Sequence, residues 1–451
     1  MAYAAAYPVP AARPALSLGC YPAWDPARPG HTLAAETGTG VRGGGERKHT
    51  WWPSIERRAH GLVAGLGVDP VVSGWYAVPY LASLAGAGGQ VAGLPVAVRD
   101  QVENKGELGR ILRAAGVPWS MVIAARTYTG RLPELARLRR EVGSHRLVVQ
   151  AAHAAGGRGT VFVDDARDME RAAGLAGPWR VSAFVPGPSS NVTVLSVPDG
   201  CGGVRVYVDR PSHKAIGVAA VGIGAAKSAG NDWSVPWPAA DVSAVVDAAV
   251  RVGVWAWETH RMTGLWGLDC IWSESGPVIN EINARKQGTT EVSGVNQQLA
   301  GFPPLVTAHL AVQLGVTPTW LPAAEEFNTV TVAAASGGEL GPYYLKVRAR
   351  GAVRAREDFP GSGIYRLSGE RLVWAHPGAH PAQADSDAGC VLIANAPEAG
   401  TACESGAELG TVEGLTRGPG SPFAGPGELS ARGWALLGAF DQWFIVEEGT
   451  L

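Results

Sequence analysis

Cysteine and lysine are scarce in this 451-residue chain, and charge of one sign does not dominate it. The five cysteines (Cys20, Cys201, Cys270, Cys390 and Cys403) stand far apart with no C-x-x-C pair. That spacing supports neither a zinc ribbon nor a dense disulfide framework, and it suits a reducing cytoplasm. With 38 basic and 40 acidic side chains the formal net charge is -2. No global field draws a polyanion, so dedicated nucleic-acid binding is disfavoured, although a local basic pocket is not. Lysine occurs only at Lys48, Lys105, Lys214, Lys227, Lys286 and Lys346. Arginine serves wherever any cation would do, so a retained lysine is a candidate for a specific task, set against the commoner solvated kind. The charge-free run 71–98 is long enough for a bilayer, but Gly74, Pro79, Gly86, Gly88, Gly89, Gly93 and Pro95 interrupt it. It reads as buried strands and turns of a soluble domain, with no membrane partner. The N-terminal MAYAAAYPVPAARPALSLG lacks a basic n-region and reads as a loose leader.

What is present describes an ordinary globular chain of several lobes. Apolar residues make up 46% and charged residues 17%, enough to bury a sizeable core and far from a disordered composition. The 61 glycines and 32 prolines, without collagen period or repeat, imply many short elements and turns. A helical pattern covers Ser54 to Gly65, and Asn104 to Gly116 puts Leu108, Ile111 and Leu112 on one helix face before a Gly-Val-Pro stop. A strand is expected at Met121 to Ala125, a helix at Leu132 to Val142, and a hairpin from Arg146–Ala151 and Thr160–Val163 around the tip AHAAGGRG. A second hairpin joins Asn191–Val197 to Val204–Val208 across Asp199-Gly200. Asp241 to Met262 keeps helical spacing, Gly264 to Asn283 reads as two strands, and Thr290 to Leu314 as helices. From about Phe327 a separate β-rich module closes with a helix at Ser430 to Phe444.

The chemistry concentrates in GLWGLDCIWSESGPVINEINARKQGTT. Strand alternation puts Glu281 and Asn283 on one face, and if Ser273 opposes Pro277 across the turn, Asp269 falls opposite Glu281. Two carboxylates and an amide then converge, a set that a hard cation such as Mg2+ would hold ionised. Arg285 projects to the same side if the strand persists, suited to an anionic phosphoryl group. An exposed polar strand with ordinary ion pairs is the other reading of the same spacing. The glycine-rich tip between Gln150 and Thr160 could bring backbone N–H groups close to phosphate oxygens, or be a flexible hairpin. GAAKS at Gly224 to Ser228 lacks the glycine before lysine that a P-loop needs, and Gly38-Thr39-Gly40-Val41-Arg42-Gly43 fits G-x-G-x-x-G with no helix expected after it.

In this order the pieces resemble the ATP-grasp superfamily, enzymes that clamp ATP between two α+β lobes and join a carboxylate to an amine through an acyl phosphate. The resemblance covers about residues 100 to 310, and its most specific part is GLWGLD followed by NEINAR. It implies an α/β (α+β) ATP-grasp fold with an N-terminal α/β pre-ATP-grasp domain (1–103), an ATP-grasp domain (104–325) whose lid spans about 118–188, and a C-terminal β-rich domain (326–451). It implies that Asp269, Glu281 and Asn283 hold Mg2+, as two ions, and that Arg285 contacts the transferred phosphoryl group or the substrate carboxylate. Lys105 looks like the lysine that touches the nucleotide phosphates. Gly156, Gly157, Arg158 and Gly159 look like the lid loop, and Ser182, Ala183, Phe184 and Val185 the hinge that bonds the adenine edge.

Departures from the family pattern narrow the expectation. Gln150 stands where a second lysine is usual, so phosphate binding loses a cation unless Arg158 compensates; glutamine there is similar to pheganomycin-type peptide ligases. The hinge has Ser182 and Pro188-Ser189-Ser190 in place of the usual glutamates. Gly267 replaces the arginine of D-alanine ligases, and Thr289 the glutamate base of biotin carboxylases, which disfavours bicarbonate chemistry. Lys214 and Lys227 fall in loops that reach the γ-phosphate or substrate in the family, or are solvated. Glu291 and Asn296 are candidates for the substrate pocket, with Glu291 equally able to serve the first turn of a helix. His153 and His213 read as polar loop residues, the tryptophans as core, and the sequon at Asn191 as irrelevant in a cytoplasmic protein. The function expected is an ATP- and Mg2+-dependent ligase of small-molecule acid and amine substrates in specialised metabolism, with a homodimer left open and the amine-deprotonating base unidentified. The alternatives are an ATP-binding protein without ligase activity and, more weakly, an ATP-dependent carboxylase.

Overall fold

A computed structural model describes residues 16–19, 30–32, 41–43, 47–75, 78–384 and 389–447. Residues 1–15 of the expected leader, Cys20 and the glycines Gly38 and Gly40 lie outside them, while Ser17–Gly19 of that leader pairs as a short strand with Gly30–Thr32. A helix does follow that glycine-rich stretch, Arg47–Ala64, contrary to expectation. The charge-free run folds as two short parallel strands, Val71–Val72 and Gln90–Val91, around the helix Pro79–Ala85. Among the described residues no helix is long and apolar enough to cross a membrane.

One eleven-stranded sheet organises the rest. Its path runs Gly276–Asn283, Gly264–Ser273, Ser189–Pro198, Ser212–Ile216, Ser228–Asp232, Gly341–Arg348, Glu408–Thr416, Cys390–Ala394, Gly363–Ser368 and Arg371–His376, with Val204–Val208 paired beside Ser189–Pro198. The pairs are antiparallel, and the Asp199-Gly200 hairpin has the expected partners. The C-terminal strands were expected to stand apart. The longer ones extend this sheet instead, through Gly341–Arg348 pairing with Ser228–Asp232, because buried Tyr343, Leu345 and Val347 share a core with Ala215, Val412 and the closing helix Ala431–Asp441, while Val353–Ala355, Ala402–Cys403 and Phe444–Val446 form a smaller sheet with Val41–Arg42. Ser430 caps that helix by accepting the Gly433 N–H.

A long helix, Ala239–His260, covers one face of the sheet near the strands Gly264–Ser273 and Gly276–Asn283. Val242, Val245, Val246, Ala249, Val252 and Ala256 recur at helical spacing and pack on Val194, Val206, Trp266 and Leu268. Each valine so buried contributes about 1.5–3 kcal/mol. Trp237 stacks on Trp272 with ring centroids 4.2 Å apart. Two helices, Thr290–Leu299 and Leu305–Gln313, broken at Gly301-Phe302-Pro303-Pro304, lie against the sheet.

The segment expected to form the lid folds as a separate four-stranded antiparallel sheet in the order Ala125–Tyr128, Trp179–Ala183, Leu147–Ala151, Thr160–Val163. Its first strand begins where the expected one ends. Pro118 starts a single 3-10 turn at Trp119–Met121 and delays the extended segment. The following helix opens at Leu135 rather than Leu132, since Pro133 keeps the residue before it extended. One lid face packs Leu147, Val149, Val163 and Val181 on Leu138, Val142 and Ala172 of two helices. The other face carries Gln150, Arg180 and Ser182, and it is the polar one.

Candidate active site

The turn after Ser273 is one residue tighter than expected: Ser273 pairs with Gly276 and Cys270 with Ile279. That register alone would have put Asp269 opposite Asn280. A bulge at Asn280 restores the other register, so that Asp269 faces Glu281 directly and Gly267 faces Asn283. The two carboxylates and the amide therefore come together at one end of the antiparallel pair.

Each of these groups is held by a named partner. Asp269, buried, accepts Asn191 Nδ2 at 2.6 Å from the strand directly across, and its other oxygen lies 2.6 Å from Lys214 Nζ. Asn191 in turn accepts Thr289 Oγ1 at 2.7 Å. The sequon asparagine is thus buried and engaged. Glu281 pairs with Lys105 Nζ at 2.7 Å. The strand stops at Asn283, yet Arg285 turns back on it: Nη2 donates to Asn283 Oδ1 at 2.6 Å and Nε lies 2.9 Å from Glu103 Oε1. Burial raises the Glu103 carboxyl above its usual range, opposed chiefly by Arg285. Glu103 belongs to no spacing pattern in the sequence, and Asn191 belongs only to the sequon, which gives no sign of its place beside Asp269.

Lys105 also ties the lid to the site, because Nζ donates to the Ala154 carbonyl at 2.6 Å and its backbone N–H to Ala152 O at 3.1 Å. Gly156 and Gly157 take φ of +67 and +74. A Cβ on Gly157 would sit 2.1 Å from Ala226 O, so the lid tip can lie on the Lys227 loop only as glycine. Arg158 is exposed at that tip, Gly159 is buried, and Lys227 is exposed. The hinge continues the strand Trp179–Ala183: Ser182 is buried, Ala183, Phe184 and Val185 are half-buried, and the Phe184 ring lies under the Arg146 guanidinium at 4.0 Å.

Gln150 does not stand alone. Its Oε1 accepts Arg180 Nη1 at 2.8 Å, and the two residues are direct cross-strand partners. Arg180 is 3% exposed, and burial lowers its pKa to about 10. An arginine between Trp179 and Val181 in a strand was the available signal, since charges are rarely fully buried without a task.

Other expected residues are used differently. Asn296 donates to the buried Asp209 carboxylate at 2.8 Å and Gln297 does so at 3.0 Å, so Asn296 serves a buried network rather than lining the cleft. Burial pushes the Asp209 pKa up to about 7, although the Gln297 and Asn296 amides donating to it pull the other way. Glu291 sits half-buried in the first turn of Thr290–Leu299. His213 is a buried strand residue, not a loop residue, and desolvation holds its pKa down to about 4. His153 is exposed in the lid loop. At Gly267 a Cβ would meet Gln287 Oε1 at 2.1 Å, so the space beside that glycine is filled by a buried glutamine.

The oxygen donors suit a hard divalent ion: two facing carboxylates and an amide, already ringed by Lys105, Lys214 and Arg285. Among the described residues no group of three or more His, Cys, Asp or Glu side chains could hold a metal. A cation here would need further oxygens from a ligand, as Mg2+ commonly takes from nucleotide phosphates.

No family model matches the chain, and no curated protein matches it in sequence. Solved structures do resemble it. The biotin carboxylase–βγ-ATP complex of Campylobacter jejuni gives a TM-score of 0.52 at 14% identity, over 80% of this chain and 74% of that one. N5-carboxyaminoimidazole ribonucleotide synthetase from Thermotoga maritima gives 0.50 at 12% identity, over 96% and 92%. An L-amino acid ligase from Bacillus licheniformis gives 0.47 at 15% identity, over 87% and 84%. At such identities the likeness concerns architecture, and the architecture is that of the ATP-grasp fold.

Proposed function

We propose that this chain is an ATP-dependent ligase that joins a small carboxylic acid to an amine through an acyl phosphate. The observation that carries the reading is the facing pair Asp269 and Glu281 with Asn283 beside them, under a lid whose polar face turns to the same strands. In this reading Asp269, Glu281 and Asn283 hold Mg2+ as two ions, which when bound neutralise and orient the nucleotide phosphates. Lys105 and Lys214, now paired with those carboxylates, are free to turn to phosphate oxygens once the carboxylates are otherwise engaged. Arg285, fixed by Glu103 and Asn283, presents its fork to the substrate carboxylate or the transferred phosphoryl group. Lys227 lies beneath the lid tip and neutralises charge developing on the γ-phosphate. The substrate carboxylate attacks that phosphorus, ADP leaves, and the amine then displaces phosphate. Most of the rate comes from positioning and from keeping water off the acyl phosphate under the closed lid.

The glutamine at 150 is the feature that favours a place near pheganomycin-type peptide ligases; specialised metabolism in the cytoplasm, units at 1–103, 104–325 and 326–451, and Glu291 at the edge of the substrate pocket belong to the same proposal without support from that residue. Thr289, whose hydroxyl is committed to Asn191, offers no base for bicarbonate chemistry. The test is ADP release by the full chain with Mg2+ and ATP across pairs of amino acids and simple amines. ADP formation that requires both partners and yields an amide supports the ligase. MgATP binding without turnover for any pair would leave a nucleotide-binding protein in its place.

A further inference from the structure

Resting on the ATP-dependent reading above, we infer that Arg180 is the second phosphate-binding cation of the nucleotide site, supplied from the neighbouring strand where Gln150 provides none. Gln150 and Arg180 are direct partners on the lid face opposite its apolar core, and on that face Thr160 follows across the hairpin. The Gln150 carbonyl oxygen accepts Nη1 of Arg180 at 2.8 Å, so the amide acts as a rest that aims the guanidinium. The same nitrogen reaches the Asn280 carbonyl at 3.4 Å, at the bulge immediately before Glu281. Arg180 therefore bridges the lid sheet and the strand that carries the oxygen cluster, a short step from Lys105, which holds Glu281 itself.

Charge makes the case sharper. The guanidinium is 3% exposed, and among the described residues no carboxylate lies within ion-pair distance of it. Its neighbours at hydrogen-bond distance are neutral amide and carbonyl oxygens. A desolvated cation without a counter-ion is costly and calls for an anion. Desolvation accordingly lowers its pKa to about 10, with Glu281 pulling in the other direction. A phosphate between the lid and the Glu281 strand would supply the missing negative charge, and an arginine fork suits phosphate oxygens. Arg158, exposed at the lid tip, is poorly placed for the same service, since water screens it.

The test compares ATP and adenosine binding to the full chain by calorimetry. In Arg180→Met the affinity for MgATP should fall about tenfold to a hundredfold, while that for adenosine stays within about twofold. Adding Gln150→Lys in that background moves a cation to the adjoining strand and should recover most of the loss. Thermal melting checks that the variant is folded; if it is not, Arg180→Lys gives the same comparison, with ATP affinity lowered severalfold and adenosine affinity kept. Unchanged ATP affinity, or equal losses for ATP and adenosine, would overturn the assignment while leaving the ATP reading intact. Wild-type chain that binds no ATP would overturn both.

Discussion

Asp269→Asn should lower Mg2+-dependent ADP formation by about a thousandfold, the scale expected when one preorganised electrostatic group is removed from a phosphoryl-transfer site. The substitution keeps volume and changes one oxygen to an amide nitrogen. Asp269 meets two donors, Asn191 Nδ2 and Lys214 Nζ, each at 2.6 Å. An asparagine can offer its oxygen to only one of them, so either the amide donor or the ammonium faces an NH2 group. A stability loss of about 1–3 kcal/mol is therefore expected as well, because a buried donor is left unsatisfied. Glu281→Gln separates the two effects. Glu281 is more exposed than Asp269 and engages Lys105 alone, so its amide variant should melt close to wild type while losing activity comparably. ADP release and thermal melting of both variants are the measurements. Activity within about tenfold of wild type in both would show that the carboxylates form an ordinary ion-paired strand.

Arg285→Met should cost about a hundredfold in kcat/KM for the acid substrate. Its guanidinium is committed on one side to Asn283 Oδ1 and on the other to Glu103, an arrangement that fixes the fork before any ligand arrives. Removing it strands the Glu103 carboxylate, already raised by burial, without its cation, and that alone would destabilise the chain. Glu103→Gln in the same background should recover the melting temperature and none of the activity. Arg285→Lys keeps the charge without the planar fork and should recover only part. Steady-state kinetics over acid concentration decides: full activity in the double variant would mean that Arg285 merely neutralises Glu103.

The fold was legible where apolar period and turn chemistry agreed. Helix Ala239–His260, the Asp199-Gly200 hairpin and the lid hairpin Leu147–Val163 lie close to their expected spans because each is set by its own residues. The long-range pairing that carries the C-terminal strands into the main sheet was not, since no local pattern names the partner of Gly341–Arg348. The opposition of Asp269 and Glu281 was reached by an assumption about the turn that is off by one residue, offset by the bulge at Asn280. Bulges leave little trace in a sequence, and the agreement there is a coincidence of two compensating shifts. Gln150 was legible as a gap in a pattern. Its partner was not, because Arg180 is two strands' worth of chain away and is recognised only by register and burial. Asn296 lay at a persuasive spacing but is drawn off by Asp209, a buried carboxylate from another strand end.

On the proposed reading, this cleft binds ATP through a divalent ion held by Asp269, Glu281 and Asn283. Titration of ATP into the full chain with Mg2+ and again with a chelator tests it most directly. Affinity should be at least about tenfold tighter with Mg2+, a difference that Asp269→Asn removes. Equal affinity in both conditions, or a Mg2+ effect that survives Asp269→Asn unchanged, would contradict it.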